Sequence, residues 1–404
     1  MRILIVTQYF WPESFRINDM AIGLKEKGHE VTVLTGLPNY PEGKYFKGYS
    51  FFSKTNEEWN GISIIRSKLI PRGRNSAIQL AFNYISFVFF ACWQVIWLPK
   101  KFDKILVFQL SPIFLAIPAL LAKFRFSIPV YMIVQDLWPE SLASTKKGNN
   151  SIMIKWVARI SDFIYKRADF LILPFKSFQP ILAARGIASS KMSYLPNSAD
   201  PFYIPSSLNP TFEYLFTGET HLLIAGNLGE AQGLDLVISA AAQLKNKYPG
   251  LRWLLVGEGR IRQVLEQQST EMGLTGVLSF PGRFPATDIP ALIARADASL
   301  LTLKKDPLFE ITVPNRLQTY MACGKPVLAS IDGEAAQIIQ QADCGLHAPA
   351  GDLVSFIGMI DSFMQSSPLQ RTNWANNARS HYLANFERDY LLDSLHQKLS
   401  EALC

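Results

Sequence analysis

The chain has 404 residues, of which 49% are hydrophobic and only 18% charged. That length is too great for one typical domain and suits two of roughly 200 residues, each able to bury its own core. The formal charge of +7 favours anionic partners, but no dense Lys/Arg tract is present, so phosphate and an acidic membrane surface are expected rather than nucleic acid.

The opening MRILIVTQYFWPE has a cation and a short apolar run, but Gln8, Pro12 and Glu13 follow too soon for a signal peptide. Residues 3–6 read instead as a first buried parallel strand. A polar and aromatic loop over 7–18, a helix over 19–27 closing at Gly28, and a strand over 31–34 complete a β-loop-α-β start. No GxGxxG fingerprint is present. In a doubly wound sheet the loop after the first strand lies at the carboxyl edge, where ligands bind. Residues 38–49, PNYPEGKYFKGY, are a turn-rich aromatic loop that could form the lip of a substrate groove. The four cysteines, Cys92, Cys323, Cys344 and Cys404, match no zinc or redox spacing, which fits a reducing, cytosolic compartment.

Residues 76–98 are apolar and long enough to span a bilayer, with Arg72, Arg74, Lys100 and Lys101 at the two ends. Gln79, Asn83 and Gln94 interrupt the run. Three readings are open: a buried helix of the first domain, a helix lying in the membrane interface, and a true span, which would cut a doubly wound sheet in half.

Strands follow at 104–108 and 130–134, with an apolar helix at 112–123 between them. The second strand runs into Gln135-Asp136-Leu137-Trp138-Pro139-Glu140-Ser141. A carboxylate leaving the carboxyl end of a buried strand faces the ligand crevice, which singles out Asp136; a helix N-cap is its plainer role. An amphipathic helix at 155–167, a strand at 170–173 and a helix closing at Gly186 lead to LPNSAD at 195–200, then to a polar, proline-containing linker at 201–220.

The second half restarts the same grammar. A strand at 222–225 gives way to the loop GNLGEAQG at 226–233, a helix to 247 and a strand at 253–256. GEGR at 257–260 and FPGRF at 280–284 end successive strands. An apolar strand at 298–303 then leads through Glu310 to Pro314, a helix at 315–323 with Arg316 in its first turn, and Gly324. Strand, polar loop and helix N-terminus in that order make a place to hold an anion, phosphate being the natural guest.

VPNRLQTYMACGKPVLAS at 313–330, with Glu310 ahead of it, resembles the donor-site signature of the retaining, GT-B-fold glycosyltransferases of family 4. It is most similar to the branch that builds bacterial O-antigen, capsule and exopolysaccharide. KGHEVTVLT at 27–35, DLWPESL at 136–142 and LPNSAD extend the resemblance over nearly the whole chain. It implies an α/β fold of two doubly wound Rossmann-like domains facing across a cleft: an acceptor-binding domain over 1–200, a nucleotide-sugar-binding domain over 221–385, and a helix at 386–404 returning to the first domain. The implied activity is transfer, with retention, from a UDP-N-acetylhexosamine or UDP-6-deoxyhexosamine such as UDP-L-FucNAc, GDP-sugars remaining open. The implied acceptor is a polyprenyl-diphosphate-linked glycan at the inner leaflet of the cytoplasmic membrane, met through the basic and aromatic surface of residues 72–101. No DxD pair occurs, so no metal or other cofactor is expected.

The same resemblance assigns Asp136 and Glu310 to catalysis. It gives Gly226, Asn227, Gln232, Val313, Asn315 and Arg316 to the donor diphosphate, and Gly257, Arg283 and Thr319 to the nucleoside. Glu13, Arg16, Asn18 and Trp138 would contact the acceptor. The chain departs from the family at Asn227 and Gln232, where an arginine and a lysine are usual, at Thr319, where a second carboxylate is usual, and at Gln135, where many members carry histidine. Two further readings share the fold: a sugar-nucleotide epimerase or phosphorylase, and a non-catalytic sugar-nucleotide-binding subunit.

Overall fold

The computed structural model describes residues 1–73, 76–99, 101–143 and 151–401. Arg74, Lys100 and Cys404, three residues singled out above, lie outside that set. The chain divides into two compact units, Met1–Pro196 with Asp389–Cys404, and Asn197–Arg388.

In the first unit the described residues form β1 (Arg2–Val6), α1 (Arg16–Glu26), β2 (Glu30–Gly36), β3 (Asn56–Trp59), β4 (Ile62–Ser67), α2 (Ala77–Trp97), β5 (Lys104–Gln109), α3 (Ile117–Phe126), β6 (Val130–Val134), α4 (Glu140–Ala143), α5 (Ser151–Arg167), β7 (Phe170–Leu173), α6 (Phe178–Ala184) and β8 (Met192–Tyr194). The strands lie in the order β3-β4-β2-β1-β5-β6-β7-β8, all pairs parallel except β3 with β4. Ile3, Leu4, Ile5 and Val6 are wholly buried, as a strand covered on both faces requires. The strand order reverses between β1 and β5, so the loops after these two strands diverge and leave a crevice at their carboxyl ends.

The second unit begins with β9 (Thr220–Ala225) and continues through α7 (Leu234–Leu244), β10 (Leu251–Val256), α8 (Arg262–Glu271), β11 (Leu278–Gly282), α9 (Ile289–Arg295), β12 (Ala298–Thr302), α10 (Pro307–Glu310), α11 (Asn315–Ala322), β13 (Val327–Ser330), α12 (Gly333–Ala342), β14 (Gly345–Ala348), α13 (Leu353–Gln365) and α14 (Pro368–Asn385). Its sheet is parallel, in the order β11-β10-β9-β12-β13-β14, with its reversal between β9 and β12. Trp253, Phe356 and Phe363 fill its core.

The last helix, α15 (Arg388–Ser400), belongs to the first unit from Asp389 onward. Leu391, Leu395 and Leu399 join the cluster of Ile3, Ile5, Ile17 and Val33. Leu392 sits so close to Gly23 that a Cβ there would lie 2.3 Å from its Cδ1. Lys27 pairs with Asp393, and His29 Nε2 lies 2.8 Å from His396 Nδ1.

Helix α2 is neither buried all round nor free of the domain. Its 21 residues are long and apolar enough to cross a membrane by length and composition. Yet Asn83, Phe87, Ala91 and Val95 face inward, while Ile78, Phe82, Ile85, Phe89, Trp93 and Ile96 form an outward stripe at helical spacing. The polar residues that interrupt the apolar run do the anchoring. Asn83 accepts from Gln8 Nε2 at 2.7 Å and donates to the Ile70 carbonyl at 2.6 Å; Gln94 donates to the Arg66 carbonyl at 2.8 Å.

Candidate functional site

In the first unit, the loop after β1 is an aromatic lip. Tyr9 stacks on Phe15 at 5.1 Å, and Tyr40 tilts against both, at 5.6 and 5.2 Å. The Arg72 guanidinium lies 4.9 Å from the centre of the Tyr40 ring. Glu13 is buried beneath this lip, where one oxygen accepts from the backbone N–H groups of Asn39 and Tyr40 at 2.8 and 2.7 Å. Burial pushes its carboxyl up to about 7 against the pull of those N–H groups. Asn18 accepts from the Trp11 N–H and donates to the Glu13 carbonyl, so its amide closes the loop on itself. Arg16 opens α1, which starts earlier than the 19–27 expected. Of the four acceptor residues named above, Glu13 and Asn18 are thus committed to shaping the loop.

Asp136 lies half-buried just past the end of β6, and among the described residues its carboxylate receives no hydrogen bond. Trp138, two residues on, is 8% exposed, with its indole N–H donating to Ser111 Oγ at 3.1 Å and its backbone N–H donating to Tyr165 Oη. Its one side-chain donor is thus already used within the protein. Arg185 holds the same turn through the Trp138 carbonyl and an ion pair with Glu140.

The second unit gathers its candidates at the reversal between β9 and β12. The loop after β9 is tied down by Gly226 N–H to Val256 O and Leu228 N–H to Glu258 O. Among the described residues the N–H groups of Asn227 and Gly229 take no partner. Arg316, in the first turn of α11, reaches back to donate to the Asn227 carbonyl at 2.5 Å. Its Nη1 is buried with no partner, and burial lowers the guanidinium's pKa from its ordinary value. A Cβ on Gly226 would sit 2.7 Å from Arg316 Nε, and one on Gly257 would sit 1.9 Å from the Gly226 carbonyl oxygen. Two glycines with φ of +134° and +145° therefore let three chain segments converge on one cation. Lys304 donates its backbone N–H to Ala231 O, which brings Lys304 and Lys305 to the same loop with both side chains exposed.

Glu310 ends α10, whose first turn is capped by the Asp306 carboxylate accepting from Leu308 N–H at 2.8 Å. Its half-exposed carboxylate has no partner among the described residues. Val313 is buried, Asn315 exposed, and Gln232 spends its carbonyl on Thr302 Oγ1. Thr319 donates to the Asn315 carbonyl of its own helix at 3.1 Å, and Arg283 is exposed just beyond β11. The structure thus brings Gly226, Asn227, Gly257 and Arg316 together, with Glu310 on the segment that leads into the same helix. An unpartnered buried N–H, two free backbone N–H groups and a helix N-terminus make an anion hole.

Two positions escaped the sequence reading. Tyr320 is fully buried, and its hydroxyl accepts from the Ala225 N–H at 3.0 Å, pinning the end of β9 to α11. Its signal was its place four residues after Arg316, on the inward face of the helix. Arg72, which the sequence offers as a charge flanking the apolar helix and as part of the basic surface of residues 72–101, lies against the Tyr40 ring of the lip.

Comparison with known proteins follows the same division. Residues 14–198 match the model of the glycosyl transferase 4-like domain, and residues 211–381 match that of glycosyl transferases group 1. The chain is 24% identical over 264 residues to the probable glycosyltransferase WbjE of Pseudomonas aeruginosa, covering 63% of this chain and 64% of that protein, a little under two thirds of its length. It is 24% identical over 344 residues to the putative colanic acid biosynthesis glycosyl transferase WcaI of Escherichia coli K12, covering 80% and 82%. Among solved structures, sucrose-phosphate synthase of Thermosynechococcus elongatus superposes with a TM-score of 0.78 at 16% identity over 98% of each chain. HepE of Anabaena, solved in complex with UDP, superposes with a TM-score of 0.71 at 16% identity over 99% and 100%.

Proposed function

Because this chain belongs to the group 1, family-4-like glycosyltransferases of GT-B fold, we propose that it moves a sugar from a nucleotide-sugar donor onto a lipid-linked glycan during assembly of a bacterial surface polysaccharide. The observation that carries the donor side is the Arg316 guanidinium, with Nη1 buried and unpartnered beside the free N–H groups of Asn227 and Gly229. Breaking the bond to a nucleoside diphosphate puts negative charge on the leaving group, and donors already fixed in place stabilise it more in the transition state than before. Arg316, those N–H groups and the first turn of α11 supply such donors; Lys304 and Lys305 add charge that Asn227 and Gln232 lack. A solved neighbour of the same fold was determined with UDP, which supports a uridine nucleotide as the first donor to try. The finer choice within our reading is a UDP-N-acetylhexosamine or UDP-6-deoxyhexosamine, transferred with retention and without a metal.

The acceptor side rests on Asp136, whose carboxylate receives no hydrogen bond among the described residues and lies past the carboxyl end of β6, where it would meet an acceptor hydroxyl. WcaI, named for colanic acid biosynthesis, supports a growing polysaccharide as acceptor, and our reading takes it as polyprenyl-diphosphate-linked. The outward stripe of α2 supports work at the cytoplasmic face of the inner membrane. A second helix of the first unit, α5, adds exposed Ile152, Trp156, Ile160 and Phe163, with Arg159 and Arg167 over the Trp156 and Phe163 rings.

The test is a panel of UDP-, GDP- and dTDP-sugars incubated with the protein and a membrane extract containing polyprenyl-diphosphate glycans, with EDTA and without. Transfer into lipid from one donor, undiminished by EDTA, is the expected result. Binding of no nucleotide-sugar at all would remove the transferase reading.

A further inference from the structure

Between α2 and the turn that opens α3 lies a pocket of about 480 Å³. Tyr84, Val88, Cys92 and Trp93 of α2 line one side, and Phe114 and Ile117 the other. Its wall is almost wholly apolar, and burial pushes the Cys92 thiol up to about 11. On its outer rim Ile85, Phe89, Trp93 and Ile96 are exposed, so it opens on the same stripe that the reading above places at the membrane.

Its inner end has a different character. The Phe114 ring lies 6.1 Å from Trp138, in the loop that carries Asp136. The Tyr84 hydroxyl is within electrostatic reach of both Arg72 and Asp136. Among the described residues no carboxylate pairs with the Arg72 guanidinium, which rests on the Tyr40 ring. An apolar channel opening on the outward stripe of α2 thus has, near its Tyr84 wall, a cation with no carboxylate partner among the described residues and the Asp136 carboxylate. The tail, phosphate and sugar hydroxyl of a lipid-linked glycan ask for those three features side by side.

We propose that this pocket holds the phosphate-proximal isoprene units of the acceptor lipid, with Arg72 receiving its phosphate. The inference rests on the acceptor class given above, and it assigns a binding site to the tail as well as to the sugar.

Titration calorimetry with farnesyl diphosphate as probe tests it without any nucleotide-sugar, so failure of sugar transfer and failure of the pocket are separate results. Inorganic diphosphate is the tail-less control. Val88→Phe and Cys92→Phe fill the pocket from two positions, and thermal melting identifies which variants fold. Farnesyl diphosphate should bind at least tenfold tighter than inorganic diphosphate. Each filling variant should lose at least tenfold for the farnesyl probe alone, and Arg72→Gln should weaken both ligands. Equal affinity for the two ligands, or full farnesyl affinity in a folded filling variant, overturns the proposal. Displacement of the probe by phosphatidylglycerol vesicles as readily as by vesicles bearing undecaprenyl phosphate would assign the pocket to acyl chains and overturn it too.

Discussion

Replacing Arg316 with methionine separates the anion hole from the fold that holds it. Among the described residues the guanidinium makes one hydrogen bond, to the Asn227 carbonyl, worth about 1.5–3 kcal/mol because the donor is charged. Against it stands a buried Nη1 with no partner, a desolvation cost of about 1–3 kcal/mol that methionine removes while keeping most of the packing. The two terms nearly cancel, so the melting temperature should move by no more than about 4 °C in either direction. Binding is another matter. A charge-assisted bond to a diphosphate oxygen contributes about 2–3 kcal/mol, so UDP affinity should fall roughly 30- to 150-fold. Loss of a donor aimed at developing charge should lower kcat by about 10²–10³. Calorimetry with UDP, thermal melting with and without UDP, and initial rates of transfer measure all three. A variant that melts normally yet binds UDP within threefold of wild type would refute the role given to Arg316.

Gly226→Ala places a methyl 2.7 Å from Arg316 Nε at a φ of +134°, so it should weaken UDP binding by tenfold or more and cost about 1–2 kcal/mol of stability, read by calorimetry and denaturant titration. Glu13, raised by burial to about 7 from an ordinary 4.5, favours its neutral form in the fold; its contribution is complete below pH 4.5 and is lost as pH rises through 7. Glu13→Gln should therefore gain stability relative to wild type as pH rises across that window, and a constant difference in melting temperature counts against the burial argument. His29 acts in the opposite sense. Lowered to about 4 by burial, the chain terminus and His396, it contributes stability above pH 6.5 that is lost as pH falls through 4, and His29→Gln should narrow its deficit to wild type on acidification. Leu395→Ala removes a side chain only 1% exposed from the core of the first unit and should cost about 2–5 kcal/mol, lowering the first unit's melting transition by roughly 5–15 °C.

The strands that build the two sheets were legible wherever burial on both faces demanded continuous apolar runs, as at residues 3–6, 130–134 and 298–302. β3, reading Asn56-Glu57-Glu58-Trp59, was not, because an antiparallel edge strand half in water has no reason to be apolar. Helix α2 shows the limit of composition. Its three polar interruptions could not say which way they faced, and two of them, Asn83 and Gln94, turn out to be the anchors on the domain. At the site, Asp136 and Arg316 stood out because one follows the carboxyl end of a buried strand and the other lies in the first turn of a helix, whereas Glu310, the last residue of α10, stood out by resemblance alone. Nothing local could have revealed that Gly226, Gly257 and Arg316 meet, since that depends on β9 lying beside β10 at the sheet's reversal point. The commitment of Glu13 and Trp138 to the protein's own framework was likewise invisible, because a buried carboxylate held by backbone N–H groups and a surface one look alike in a sequence.

Sugar transfer by this chain is proposed to need both Asp136 and Glu310. Its most direct test is the initial rate of transfer of radiolabelled sugar into butanol-extractable lipid by wild type, Asp136→Asn and Glu310→Gln, at equal protein and saturating donor. Both variants should melt like wild type, bind UDP within a few-fold and transfer at least 100-fold more slowly. A wild-type rate in either folded variant would remove that residue from the reaction.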